Sequence, residues 1–131
     1  MMKLLVTFIW QLPQNLVGLL LIWWYGRKRV QRSGGGLKET VMIWTVKGMP
    51  GAISLGNIVL MSPACRDNMQ TVCHELGHCK QSVILGPLYL IVIGLPSLLW
   101  AVTHHHIAQK RSYYWFYTER WADRLGGVCR Y

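Results

Sequence analysis

Apolar positions in this chain gather into two long runs, one near the N-terminus and one past the middle, with strand-like segments between them. The first run, residues 4–25, is long enough to cross a bilayer, but Gln11, Pro13, Gln14 and Asn15 interrupt it. Proline removes a donor and bends a helix, so the stretch predicts either a spanning helix with a polar, bent centre or a shallow hairpin turning at QLPQN. Residues 40–47 (TVMIWTVK) are rich in β-branched and aromatic side chains and predict a strand. Gly48-Met49-Pro50-Gly51 predicts a turn, and residues 52–61 (AISLGNIVLM) a second strand, giving a β-hairpin. Asp67, with Gln70 three residues on, resembles a capping box that opens a helix through TVCHELGHCKQSV. The second run, residues 82–102, has no charge and the length of a span, broken by Pro87 and Pro96. From Tyr113 an aromatic segment predicts a final helix stopped by Gly126 and Gly127. The class is α+β.

The chain has 131 residues, the size of one ordinary domain. Just over half are hydrophobic and seven are Trp, yet the formal charge is +9, which points to a membrane surface. The densest basic run, Arg27, Lys28, Arg29 and Arg32, directly follows the apolar end Ile22, Trp23, Trp24 and Tyr25. Nucleic-acid binding asks for a basic stripe on a soluble fold, so no nucleic-acid partner is expected. A secretory signal carries its positive charge in front and a small-residue cleavage site behind; here the strong charge lies behind and there is no such site, so residues 1–26 read as an uncleaved anchor. Residues 27–39, with Gly34, Gly35 and Gly36, read as a basic, flexible linker, and 40–131 as the functional unit with 82–102 as its apolar insert. Cys65, Cys73, Cys79 and Cys129 form no CxxC pair and no zinc-finger spacing, so reduced structural thiols are expected. Cys73 and Cys79 flank two histidines but point away from their shared face.

Those histidines carry the chemistry. His74 and His78 are four apart, so a helix presents both imidazoles to one ion. Glu75 lies one position on, near enough to address an open coordination position without being a ligand, as a general base acting on water must. Gly77 lets another segment pass close to the helix, at about 1 kcal/mol of helix propensity relative to Ala. The bland reading is a surface helix with two unrelated histidines. Against it, Glu119 and Asp123 lie four apart on a later helix with small Ala122 between them, a source for a third ligand. Three protein ligands leave a catalytic position open, whereas four close it.

HELGH at 74–78 and ERWAD at 119–123 resemble the gluzincin metallopeptidases, the thermolysin-like and prenyl-protein endopeptidase-like clans. The resemblance implies a minimal zincin-like unit, a β-hairpin with an HExxH helix and an ExxxD helix. In it His74, His78 and Glu119 would bind one zinc ion, Glu75 would be the base, and Asp123 would hydrogen-bond a ligating histidine. It also implies an edge strand beside the metal helix that pairs with substrate backbone, with ISLGNIVLM as counterpart. HELGHCKQS, LGPLYLIVIGLPSL and YYWFYTERWADRLGGV are further similar to a group of small bacterial membrane-associated proteins.

If residues 82–102 crossed the bilayer, Glu119 would emerge on the side opposite the histidines. The prolines, Gly86 and Gly94 instead favour a re-entrant or interfacial hairpin, with Arg66, Lys80, Lys110 and Arg111 on one side and the site on the cytoplasmic face. His104, His105 and His106 read as polar residues where the chain leaves lipid, with ligation or metal loading as alternatives. One of them, or Tyr113, Tyr114 or Tyr117, is the candidate to stabilise an oxyanion, and spacing does not choose. The expectation is a membrane-associated zinc metallopeptidase acting on a peptide or membrane-protein segment. The alternatives are a non-catalytic protein stapled by zinc and a metal-free lipid-binding peptide.

Overall fold

The computed structural model describes residues 1–26, 28, 30–33, 41–107 and 110–130. Helices α1 (Met2–Trp10) and α2 (Leu12–Tyr25) meet at 96°. Pro13 stands in the first turn of α2, where a missing N–H is tolerated, so it begins a second helix instead of kinking one. Gln11, Gln14 and Asn15 are fully buried. Gln14 Nε2 donates to Ser82 Oγ (2.8 Å) and to the Gly86 carbonyl (2.9 Å), and Asn15 Nδ2 donates to Asn57 Oδ1 (2.9 Å). The polar interruption of the first apolar run is therefore a docking elbow.

Four strands follow: β1 (Val30–Ser33), β2 (Met42–Val46), β3 (Ala52–Leu55) and β4 (Ile58–Met61), in the order β1-β2-β4-β3. β2 and β4 are parallel; the other two pairings are antiparallel. This corrects the expected hairpin of two strands. AISLGNIVLM divides at Gly56-Asn57, a two-residue turn with Leu55 opposite Ile58 and positive φ at Gly56, its first central position. Residues 52–61 thus hairpin on themselves, and β4 rather than β3 lies beside β2. The expected linker is corrected in part as well, because Val30–Ser33 forms the edge strand β1; Gly34, Gly35 and Gly36, like Thr40, lie outside the described residues.

Period-two alternation splits the sheet's faces. Ile43, Val59 and Met61 pack against Val72 and Cys79 on one side. Val30, Val46, Ile58 and Leu60 take Leu21, Ile22 and Tyr25 of α2 on the other. The expected anchor therefore gives one face to the core.

A short helix, α3 (Pro63–Arg66), is capped by Ser62, and Asp67 ends it. The long helix α4 (Met69–Leu85) is capped by Asn68, whose side chain accepts from Thr71 N (3.3 Å), one residue after the Asp67 cap the sequence suggested. At Gly86, with positive φ, the chain leaves the helix, and a Cβ there would collide with the Trp10 indole. A 3₁₀ turn (Gly86–Leu88) and a π turn (Leu90–Gly94) lead into α5 (Leu95–Ile107). Pro96 cannot donate to the Val92 carbonyl, which accepts instead from Tyr117 Oη (2.7 Å). Leu90–Ile107 is one helical stretch long and apolar enough to span a membrane. After a 3₁₀ turn at Tyr113–Trp115, Phe116 is extended, and α6 runs Tyr117–Gly126, so the last helix starts later than its aromatic pattern suggested.

α6 lies directly on α4 through reciprocal glycines. A Cβ on Gly77 would strike the Ala122 carbonyl oxygen, and one on Gly126 the Cys73 carbonyl oxygen. Gly77→Ala would gain about 1 kcal/mol of helix propensity but must push a backbone away. Overpacking of this kind costs about 1–3 kcal/mol, more against main chain, so a net loss of stability is expected in denaturant titrations; an unchanged midpoint would refute the close approach.

Candidate metal centre

The clustered residues His74, His78, Glu119 and Asp123 are placed by two helices locked at their glycines. His74 and His78, one turn apart on α4, turn Nε2 toward the same atom, Glu119 Oε2, at 2.9 and 3.1 Å. All three side chains are buried, and their ligand atoms lie within 4.8 Å of one another, close enough to hold a metal ion. The outer ring nitrogens are also engaged. His74 Nδ1 meets Asp123 Oδ1 at 2.7 Å and His78 Nδ1 meets Gln81 Oε1 at 2.7 Å. Both partners are acceptors, so the proton belongs on Nδ1 of each ring and the Nε2 lone pairs converge on the carboxylate. Two lone pairs and an anion facing one point call for a cation.

In the metal-free chain a proton supplies it. Burial pulls the His78 pKa down, but the hydrogen bond to Glu119 and the charges of Glu75 and Glu119 outweigh this and hold it at about 9, against an ordinary 6.5. Burial pushes Glu119 up, yet its bonds to His74 and His78 leave it well below the carboxylate range. Metal must displace the His78 proton, so its apparent affinity should fall about tenfold per pH unit below pH 9. The fold responds oppositely. A raised histidine stabilises fully below pH 6.5 and loses that contribution as pH rises through about 9. Melting temperature of the metal-free chain should therefore drop between pH 6.5 and 9 while metal affinity, followed with a chelator of known affinity, climbs; parallel trends would contradict the geometry.

Glu75 stays outside the cluster. Its Oε2 accepts from Ser54 Oγ at 2.6 Å, and Ser54 belongs to β3, the edge strand beside α4. The Ser54 carbonyl in turn accepts from Tyr89 Oη at 3.2 Å. Glu75, His74, His78 and Glu119 line a cavity of about 640 Å³ whose apolar walls include Ile53, Leu90 and Leu98.

Of the oxyanion candidates, Tyr113 and Tyr114 line this cavity. Burial and the charges of Glu119 and Glu75 push the Tyr113 phenol up, so it keeps its proton and its donor. Tyr117 is committed to Val92, and His104 meets the Arg111 carbonyl at 2.7 Å at the far end of α5. No disulfide joins the described cysteines, and Cys79 lies in the core.

Several site residues had no place in the sequence reading. Gln81 follows His78 by three positions, and helical spacing alone could have flagged it. Thr118 donates to Glu119 Oε1 (3.2 Å), and its carbonyl accepts from Gln81 Nε2 (2.8 Å). Arg130, past the end of α6, binds Asp123 through two nitrogens (2.8 and 3.1 Å) and lies over the Tyr114 ring, which meets His74 edge-on. Nothing local in the sequence announces Ser54 or Arg130. No family model, curated protein or solved structure matches this chain.

Proposed function

We propose that this protein is a membrane-associated zinc metallopeptidase of zincin-like plan, with the site on the cytoplasmic face. The observation that carries the reading is a division of labour on one helix. His74 and His78 converge with Glu119 on a single point, while Glu75 faces the same cavity held apart by Ser54.

The donor set fits zinc, since two imidazoles and one carboxylate are the ligands of a borderline ion with an open position. Bound there, zinc would activate water and polarise the scissile carbonyl. The chain's own residues supply the rest. Asp123 and Gln81 fix both rings with Nε2 toward the ion. Ser54 orients Glu75, whose carboxylate takes the proton of the attacking water and returns it to the leaving amine. Tyr113, a neutral donor in the cavity wall, is suited to the developing oxyanion. β3, an edge strand, offers backbone to an extended peptide. A non-catalytic zinc staple needs a fourth protein ligand; among the described residues the cluster holds three, with His104, His105 and His106 elsewhere.

The test is hydrolysis of an unfolded membrane-protein substrate by the detergent-purified chain, stripped by chelator and reloaded. Activity restored by about one zinc per chain is expected. A fully zinc-loaded protein that cleaves no peptide across a diverse library would remove the enzyme reading.

A further inference from the structure

Helix lengths and the return path of the chain together restrict how this protein meets a bilayer. α1 and α2 have 9 and 14 residues, rises of about 13 and 21 Å, so neither crosses a hydrocarbon core of about 30 Å. Their 96° bend prevents them from adding up. Leu90–Ile107 has the length, but its C-terminal half is accompanied by chain returning the other way. His104 Nε2 meets the Arg111 carbonyl (2.7 Å), Trp100 Nε1 donates to the Tyr113 carbonyl (2.7 Å), and Ser97 Oγ donates to Thr118 Oγ1 (2.9 Å). Arg111, Tyr113 and Thr118 thus descend beside α5 in step with His104, Trp100 and Ser97. A crossing α5 would drag non-helical backbone and an exposed Arg111 into the bilayer, where unpaired peptide groups and charge are costly.

The same helices carry bare apolar faces. Leu20 is 63% exposed and Trp23 78% on α2; Leu98 is 57% and Val102 61% on α5. Patches of this extent need a cover. α2 and α5 contain no Asp, Glu, Lys or Arg, while exposed Lys28, Lys110 and Arg111 flank their ends and Arg111 stacks on Trp115 at 4.2 Å. Basic residues and tryptophans bordering an uncharged apolar face match the headgroup belt of an anionic leaflet better than a protein partner. Val17 of α2 and Leu95, Leu98 and Ala101 of α5 line the metal cavity and are themselves exposed.

We infer that the chain is monotopic: the exposed faces of α1, α2 and α5 lie in a single leaflet, and the metal cavity opens into that leaflet between α2 and α5. A guest then reaches His74, Glu75 and Glu119 sideways, from lipid. This seating stands independently of the peptidase reading, and its test contains no catalytic readout.

His106→Cys and Arg120→Cys, each added singly to a Cys129→Ser background that keeps Cys65, Cys73 and Cys79 and serves as the blank, are exposed to a membrane-impermeant maleimide in inside-out and right-side-out vesicles. Both sites labelled in the same preparation is the expected result; labelling in opposite preparations means that α5 crosses and overturns the inference. Spin labels at Val17 and Leu98, in vesicles containing phosphatidylglycerol, then report the cover. Collisions with dissolved oxygen should exceed those with a water-soluble nickel chelate severalfold. Dominant nickel collisions, or protection from both reagents, would assign the mouth to water or to a protein and overturn the lateral opening.

Discussion

Glu75→Gln should lower peptide hydrolysis by about a hundred- to ten-thousandfold, the usual contribution of a positioned general base, with zinc content unchanged. The substitution keeps the side chain's length and its hydrogen bond from Ser54 Oγ, now 2.6 Å from Glu75 Oε2, and removes only the basic oxygen. The three ligand atoms are untouched because Glu75 contributes none of them. Retained zinc with abolished turnover would fix the base; retained turnover would assign proton transfer to another group. Parallel loss of zinc and activity would instead mean that Glu75 holds the metal, against its bond to Ser54.

Glu119→Ala should act first on binding. It removes the oxygen on which both Nε2 atoms converge, so zinc affinity should fall further than the roughly 10–100-fold expected when an outer partner is lost. Asp123→Asn supplies that outer comparison, since among the three ligand residues it touches only His74, at Nδ1, although it also gives up the ion pair with Arg130. Glu119→Gln preserves volume and guards against misfolding as the explanation. The expected order of affinities is wild type, then Asp123→Asn, then both Glu119 variants, measured by competition with a metal-sensitive dye. Equal affinities for wild type and Glu119→Gln would place the third ligand elsewhere.

The convergence of His74, His78 and Glu119, close enough to hold a metal ion, was readable in the sequence because its spacing coincides with helical geometry. His74 and His78 four apart, Glu119 and Asp123 four apart, and glycine at 77 each state a relation within one turn. The meeting of α4 with α6 followed from chemistry that needs a third ligand. The sheet was less readable. Strand composition fixes which residues alternate, but it does not say that β2 pairs with β4 in parallel, and the Gly56-Asn57 turn is hidden inside a continuous apolar run. Gln11, Gln14 and Asn15 announced the bend between α1 and α2 but not the partners that hold it. Polar residues in an apolar segment signal a break, but their buried amide contacts to Asn57, Ser82 and Gly86 lie too far along the chain to be read from it. Ser54 and Arg130 reach the site only through tertiary packing, 21 residues before Glu75 and 7 after Asp123, separations that carry no periodic signal.

The elbow between α1 and α2 also sets an order of assembly. Its amides find Asn57 and Ser82 across 42 and 68 residues, and the Gly86 carbonyl across 72. Gly56 makes the fit stringent, because a Cβ there would meet Asn15 Oδ1. The elbow is therefore satisfied only after residues 42 to 72 positions further along have been made. At roughly 5–20 residues per second, the nascent elbow waits several seconds with bare amides and exposed tryptophans. During that interval the distant partners of Gln14 and Asn15 do not yet exist, so lipid or a chaperone would be the cover open to the elbow.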